Sequence, residues 1–415
     1  MKTVIPITPA SSLASLASAA PILGGPTLTG LRNPPPLSLY IHIPWCVRKC
    51  PYCDFNSHES PTTRGKGEIP EDAYVKALIA DLEQAVPNIW GRKVRSIFFG
   101  GGTPSLFSAE AIDRILSAVR ALVQLEYDAE ITLEANPGTF EAERFAGFKA
   151  AGVNRLSLGI QSFNEQHLKA LGRIHDATEA RNAAAHAIEI FGNVNLDLMY
   201  ALPEQTLQQA LTDIETAIGL KPTHISAYHL TLEPNTAFHH SPPPLPDDDA
   251  SAEMQEAIED LLANNGYEHY ETSAFAKKGK RSRHNLNYWL FGDYLGIGAG
   301  AHSKLSFHDH ILRQSRTKHP NAYLKGVAEN THIDTERTLT SDDLGFEFMM
   351  NALRLTDGFH VDQFSATTGK PLLSIEPALK AAESKGLIVR TPTQIAPTML
   401  GQRFLNELLQ MFLVD

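Results

Sequence analysis

All three cysteines of the chain fall within YIHIPWCVRKCPYCDFNSH, residues 40–58, at the spacing C-x3-C-x2-C: Cys46, Cys50 and Cys53. Thiolates this close together on a loop can converge on a metal, and the choices are a zinc ion or an iron–sulfur cluster. Zinc wants four protein ligands, so His42 or His58 would have to complete a tetrahedron. A 4Fe–4S cluster on three thiolates leaves one iron open to a small molecule. Residue types alone leave both readings standing. The grouping is too tight for a disulfide framework and points to a reducing compartment.

Other chemistry-bearing residues recur just after short apolar runs. From residue 37 onward, β-branched or apolar stretches at 38–43, 94–99, 129–135, 154–160, 193–200 and 223–230 alternate with amphipathic patterns at 71–87, 108–123, 141–151, 164–171, 176–190 and 206–220. Strand–helix alternation of this kind predicts parallel βα units. Six units are too few for a closed eight-stranded barrel, so the expected fold is α/β, a partial (βα)6 TIM-like barrel. Cys46 follows the first strand and Gly100 to Thr103 the second. Glu134 and Asn136 end the third, Gln161 ends the fourth, and Asp197 lies within the fifth. In a parallel sheet these positions open on one face, where such folds bind ligands. Each polar residue taken singly reads equally well as a fold-holding hydrogen bond.

Composition bounds the rest. The chain has 415 residues, 43% of them apolar, and a net charge of -11 from 47 acidic and 36 basic residues. That balance argues against an electrostatic grip on nucleic acid. No apolar run reaches the eighteen residues of a membrane span, which leaves peripheral membrane association and oligomerisation open. Residues 1–36, rich in Ser, Ala, Pro and Gly, read as a disordered leader; Pro6 and Pro9 interrupt what would be a signal-peptide core. The expected division is 1–36 leader, 37–245 barrel and 246–415 C-terminal region, with the Pro-rich and acidic stretch SPPPLPDDD (241–249) between the last two. Residues 386–413 resemble the hairpin and helix of a winged helix, without the basic recognition helix that DNA binding wants.

C-x3-C-x2-C after a first strand, together with FFGGGTPSLF, LEANPGT, SLGIQSFN, LGRIH, NLDLMYALP and HNLNYW in that order, resembles the radical S-adenosylmethionine (SAM) superfamily. More narrowly, the set is similar to the coproporphyrinogen dehydrogenase-like group, in particular its heme-chaperone branch. The resemblance covers about residues 37–415. It implies that Cys46, Cys50 and Cys53 ligate a 4Fe–4S cluster whose remaining iron takes SAM. It implies SAM contacts at Tyr40, Tyr52, Gly101, Gly102, Thr103, Glu134, Gln161, Arg173 and Asp197, with Arg173 on the carboxylate and acidic groups on ribose hydroxyls. The glycines of GGGTP are expected to free backbone N–H groups for SAM. His284, Asn285 and Tyr288 of the H-N-x-x-Y motif, with His42, are the heme candidates, the imidazole or phenolate as axial iron ligand. For His284 a packed core histidine is the competing reading.

Two functions compete within that group. One is an oxygen-independent coproporphyrinogen III dehydrogenase, a radical SAM enzyme. The other is a cytoplasmic heme chaperone that carries heme to acceptor proteins of respiratory type. In the dehydrogenases the motif typically runs on to a fourth cysteine, where this sequence has Phe55, and the leader lacks a structured substrate-covering region. Both departures favour the chaperone, for which no catalytic residue is assigned and whether SAM is cleaved stays open.

Overall fold

The computed structural model describes residues 31, 33–62, 67–138 and 144–413. The six expected units are present: β1 (Leu37–Ile43), α1 (Glu71–Ala85), β2 (Lys93–Gly101), α2 (Ala109–Leu122), β3 (Gln124–Ala135), α3 (Phe145–Ala151), β4 (Arg155–Gln161), α4 (Glu165–Ala170), α5 (Ala177–Phe191), β5 (Val194–Tyr200), α6 (Leu207–Leu220) and β6 (His224–His229). Local chemistry sets several boundaries. Asp176 with Glu179 and Thr206 with Gln209 form capping boxes at the starts of α5 and α6.

The strands alternate in an unusual sense. Leu39, Ile41, Ile97, Phe99, Leu133, Leu156, Leu158, Leu196 and Ile225 join the main apolar core with the flanking helices. Their neighbours Ser38, Ser96, Thr132, Arg155, Ser157, Asn195, His224 and Ser226 are buried polar residues. Successive side chains point to opposite faces of a strand, so the concave face of the sheet is polar.

After the Pro-rich stretch, Asp247 caps α7 (Asp248–Asn264), which packs on α6. The single strand suggested by YEHYETSAF is a hairpin of β7 (Glu268–Glu271) and β8 (Ala274–Ala276) added antiparallel to β6. Then come α8 (Arg283–Trp289), β9 (Asp293–Ile297), β10 (His302–Ser306), β11 (Ile311–Arg316), α9 (Pro320–Glu329) and β12 (Ile333–Thr338). The sheet has twelve strands in the order β12-β11-β10-β9-β1-β2-β3-β4-β5-β6-β8-β7. β9 pairs parallel with β1, so a seventh parallel strand from the Gly-rich stretch extends the expected six. Asp81 of α1, buried, accepts from Arg316, His332, Tyr323 and the Gly298 N–H, tying that late stretch to the first helix.

The chain ends in a separate core around Phe348, Phe359, Phe364 and Leu408. Its order is α10 (Ser341–Ala352), β13 (Phe359–His360), α11 (Val361–Thr368), α12 (Glu376–Ser384) and a hairpin of β14 (Ile388–Arg390) and β15 (Gln394–Pro397), which is winged-helix-like. Residues 1–30 and 32 of the expected leader lie outside the described residues. Its last part is packed: Leu31 is buried in this second core with its N–H on the His308 carbonyl, and Arg92 donates to the Pro35 carbonyl.

Candidate functional site

Beyond β1 the chain makes a two-residue parallel pairing, Trp45–Cys46 against His58–Glu59, which closes the intervening residues into a loop. Inside it the Cys53 N–H donates to the Cys50 carbonyl at 3.1 Å, and Lys49 Nζ donates to the carbonyls of Phe55 and Ser57 at 3.2 and 3.4 Å. The three thiols are half-buried and stand in the wall of one cleft of about 430 Å³ at the C-terminal ends of the parallel strands. Burial pushes the Cys46 thiol up to about 11 and raises Cys53 as well. Phe55, 59% exposed, stands at the cleft mouth.

The cleft is also lined by Tyr52, Gly101, Gly102, Thr103, Glu134, Gln161, Arg173 and Asp197, so eight of the nine residues expected around SAM share it with the cysteines. Tyr40 lies one layer below, its ring over Phe98 and its hydroxyl donating to His42 Nδ1 at 3.1 Å. Arg173 donates to Cys50 Sγ at 3.5 Å, to Asn136 Oδ1 at 2.7 Å and to the Gly159 carbonyl at 2.8 Å. Asn136 in turn donates to Thr103 Oγ1 at 3.0 Å, linking the ends of β2, β3 and β4. Burial and the Asp197 carboxylate push Glu134 up to about 8, against the pull of the Gly101 N–H it accepts at 3.2 Å. Burial likewise raises Asp197, although Asn195 and Ser157 donate to it at 2.8 and 2.9 Å. Gln161 ends β4 with φ +67°, a left-handed conformation that non-glycine residues rarely adopt outside sites that require it.

One expectation is corrected. The N–H groups of GGGTP are not free for a ligand: Gly101 donates to Glu134, Gly102 to the Ile43 carbonyl at 2.8 Å, and Thr103 to the Trp45 carbonyl at 2.7 Å. What needs glycine is close approach. A Cβ on Gly101, where φ is +116°, would lie 2.4 Å from His42 Cε1, and one on Gly102 would lie 2.6 Å from the Trp45 carbonyl oxygen.

The heme candidates divide. Asn285 lines the cleft. His284 is buried beneath it, stacked on Phe98 with centroids 4.9 Å apart, its Nδ1 3.0 Å from Ser96 Oγ and its Nε2 3.1 Å from the Tyr288 hydroxyl. Burial drives the His284 imidazole down to about 3. His42 is held on both nitrogens, by the Tyr40 hydroxyl and by the Asn56 carbonyl at 3.0 Å. As arranged, His284, Tyr288 and His42 present hydrogen-bonded edges.

Among the described residues no three His, Cys, Asp or Glu side chains come close enough to hold a single metal ion, and His58 Nε2 faces Asn56 Oδ1. Three thiols along one wall, with the Arg173 guanidinium beside Cys50, suit the thiolate donors and negative charge of an iron–sulfur cluster.

A partial parallel barrel with a three-cysteine loop at its mouth defines a radical SAM protein. The Radical SAM superfamily model matches residues 40–217, and the HemN C-terminal domain model matches residues 339–404. Coproporphyrinogen III oxidase (HemN) of Escherichia coli superposes with a TM-score of 0.77 over 93% of this chain and 92% of that one, at 23% identity, and shares its fold. By sequence the chain is 50% identical to heme chaperone HemW of E. coli, across 92% of this chain and 99% of HemW. HemW of Bacillus subtilis is 34% identical over 91% of this chain and 99% of its own. The bovine mitochondrial radical S-adenosyl methionine domain-containing protein 1 is 34% identical over 96% and 92%. The chain belongs to the HemW family.

Several cleft residues carry no ligand role from the sequence: Arg155, Ser157, Asn195 and Ser226, together with Asn136, which the sequence placed only at a strand end. Their signal was period-two alternation, since Arg155, Ser157 and Gln161 interleave with Leu156, Leu158 and Ile160.

Proposed function

We propose that this protein binds heme and transfers it to acceptor proteins, using a 4Fe–4S cluster and SAM in the cleft described above. The observation that carries the reading is the end-to-end 50% identity to a protein named heme chaperone, spanning 99% of that relative. In this reading Cys46, Cys50 and Cys53 hold the cluster, which when bound supplies an electron for reductive opening of the SAM carbon–sulfur bond. Arg173, fixed by Asn136 and Gly159, offers its guanidinium to a carboxylate, and Glu134 and Asp197 offer oxygens to ribose hydroxyls. Residues 37–245 carry these groups and residues 246–415 supply Asn285 and the strands that brace the cysteine loop. Asn56 of that loop donates to the carbonyls of Ala299 and Lys318, both at 3.0 Å. Asn285 meets the cargo in the cleft, while His284 and Tyr288 shape the floor.

No helix among the described residues is long and apolar enough to cross a membrane. The reading places the protein in the cytoplasm with respiratory heme acceptors. The test is anaerobic reconstitution with iron and sulfide, followed by hemin. A Soret band that survives gel filtration is expected, together with loss of bound iron in Cys46→Ser, Cys50→Ser and Cys53→Ser. Conversion of coproporphyrinogen III to protoporphyrinogen IX with SAM would replace the chaperone reading by the dehydrogenase.

A further inference from the structure

Among the described residues, Arg155 is a strong cation in the barrel interior that the expected SAM and cluster residues leave unused. It opens β4, is 2% exposed, and lines the deep end of the cleft. Its Nε has no hydrogen-bond partner among the described residues, and none of their carboxylates lies within ion-pair distance of it. Directly across the strand pair, in register with it, stands Thr132, fully buried, whose Oγ1 is also without a partner. Two adjacent side chains on the concave face thus have unmet donors at one spot. Burying a guanidinium without a hydrogen-bonded anion is costly, and a half-satisfied polar cluster is retained where a ligand completes it.

The spot is separate from the position expected for the SAM carboxylate. Four residues along β4, about 13 Å at strand rise, separate Arg155 from Gly159, whose carbonyl holds Arg173 beside Cys50. Glu134 and Asp197 lie between the two arginines and bear electrostatically on Arg155 without pairing to it. A planar fork of donors with a hydroxyl alongside matches a carboxylate.

We propose that Arg155, with Thr132, is the receptor for a carboxylate of a second ligand bound below SAM, and, resting on the heme-carrier reading above, that this carboxylate is a heme propionate. The ligand would enter past Tyr228 and Asn285 with one acidic arm directed down the lumen. Removal of the arm's charge, or of the guanidinium, therefore weakens heme binding while leaving SAM and cluster in place.

The experiment titrates hemin and hemin dimethyl ester into cluster-loaded protein by Soret absorbance, with SAM affinity and iron content read in parallel. Wild-type protein is expected to bind the diester at least tenfold more weakly than hemin, the loss of one buried charge-assisted bond. Arg155→Gln is expected to bring hemin down to the diester's affinity and leave the diester unchanged, and Arg155→Lys to fall between. Equal affinity of the wild-type protein for hemin and its diester overturns the proposal without any variant. An Arg155→Gln variant that binds hemin normally but loses SAM also overturns it, because Arg155 would then serve only Glu134 and Asp197. Failure of wild-type protein to bind either porphyrin brings down the heme reading and the proposal together.

Discussion

The imidazole of His42 occupies the space that a side chain on Gly101 would need: a Cβ there would stand 2.4 Å from Cε1, 2.6 Å from Nδ1 and 2.7 Å from Nε2. The ring has nowhere to go, since Tyr40 and Asn56 hold it from either side. Gly101→Ala adds a left-handed backbone penalty to this overlap, for a cost of about 2 kcal/mol or more. Urea unfolding checks the cost. Iron content should fall too, because His42 abuts the carbonyl that anchors the loop; a variant of wild-type stability would show that the ring yields.

Glu134 gives a pH dependence with a definite sign. Its carboxyl, ordinarily near 4.5, is held up to about 8 mainly by burial and by Asp197. A raised acid costs the fold nothing while protonated and more as it ionises, so its share of stability is complete below pH 4.5 and is lost as pH rises through about 8. Asp197, raised likewise, acts in the same direction. Glu134→Gln should therefore flatten the fall in unfolding midpoint between about pH 5 and 9. A slope equal to wild type would mean that the native carboxyl is already ionised across this window, as the unfolded one is.

Tyr288→Phe removes the hydroxyl that meets His284 Nε2 and leaves a buried ring nitrogen without a partner. The expected cost is about 1–2 kcal/mol in thermal or urea unfolding. With His284 and Tyr288 acting as floor, the Soret maximum of the hemin complex stays where wild type has it. A shifted maximum would return one of the two to the iron.

Asp81→Asn breaks a buried anion from Arg316, with which it forms an ion pair of 3.2 Å while both are essentially unexposed. Leaving that guanidinium uncompensated should cost about 3–5 kcal/mol. Because Asp81 also holds the Gly298 N–H, and Ala299 beside it accepts from Asn56, limited proteolysis of the cysteine loop should quicken as well. Unchanged cleavage would separate the two effects.

The sequence made the six βα units legible because each parallel strand is an apolar run between amphipathic helices, and the boundaries agree to within a few residues. β9 was invisible for an equally physical reason. It is five residues long, carries Gly296, and earns its place only by pairing with β1, far away in sequence. Motif spacing placed the cysteine loop and eight of the nine residues expected around SAM at what the structure forms as one cleft. The bonding of His284 was not, since Ser96 comes from β2 and Glu130, which accepts the His284 N–H at 3.1 Å, from β3. Gly101 and Gly102 of GGGTP line the cleft, but what they accommodate is His42 and Trp45 across a strand boundary, a reason that motif spacing does not show. Arg155 was overlooked beside a recognisable motif, although its alternation with Leu156 and Leu158 places it on the polar face.

The pairing of β1 with β9 also sets an order of events during synthesis. β1 bears the cysteine loop, yet one of its two edges stays unpaired until Asp293–Ile297 has left the ribosome, and Asn56 waits still longer for Lys318. The cysteine loop, written early in the chain, is therefore braced only after most of the barrel has emerged, and metal insertion before that moment would meet an exposed strand edge in place of a formed cleft.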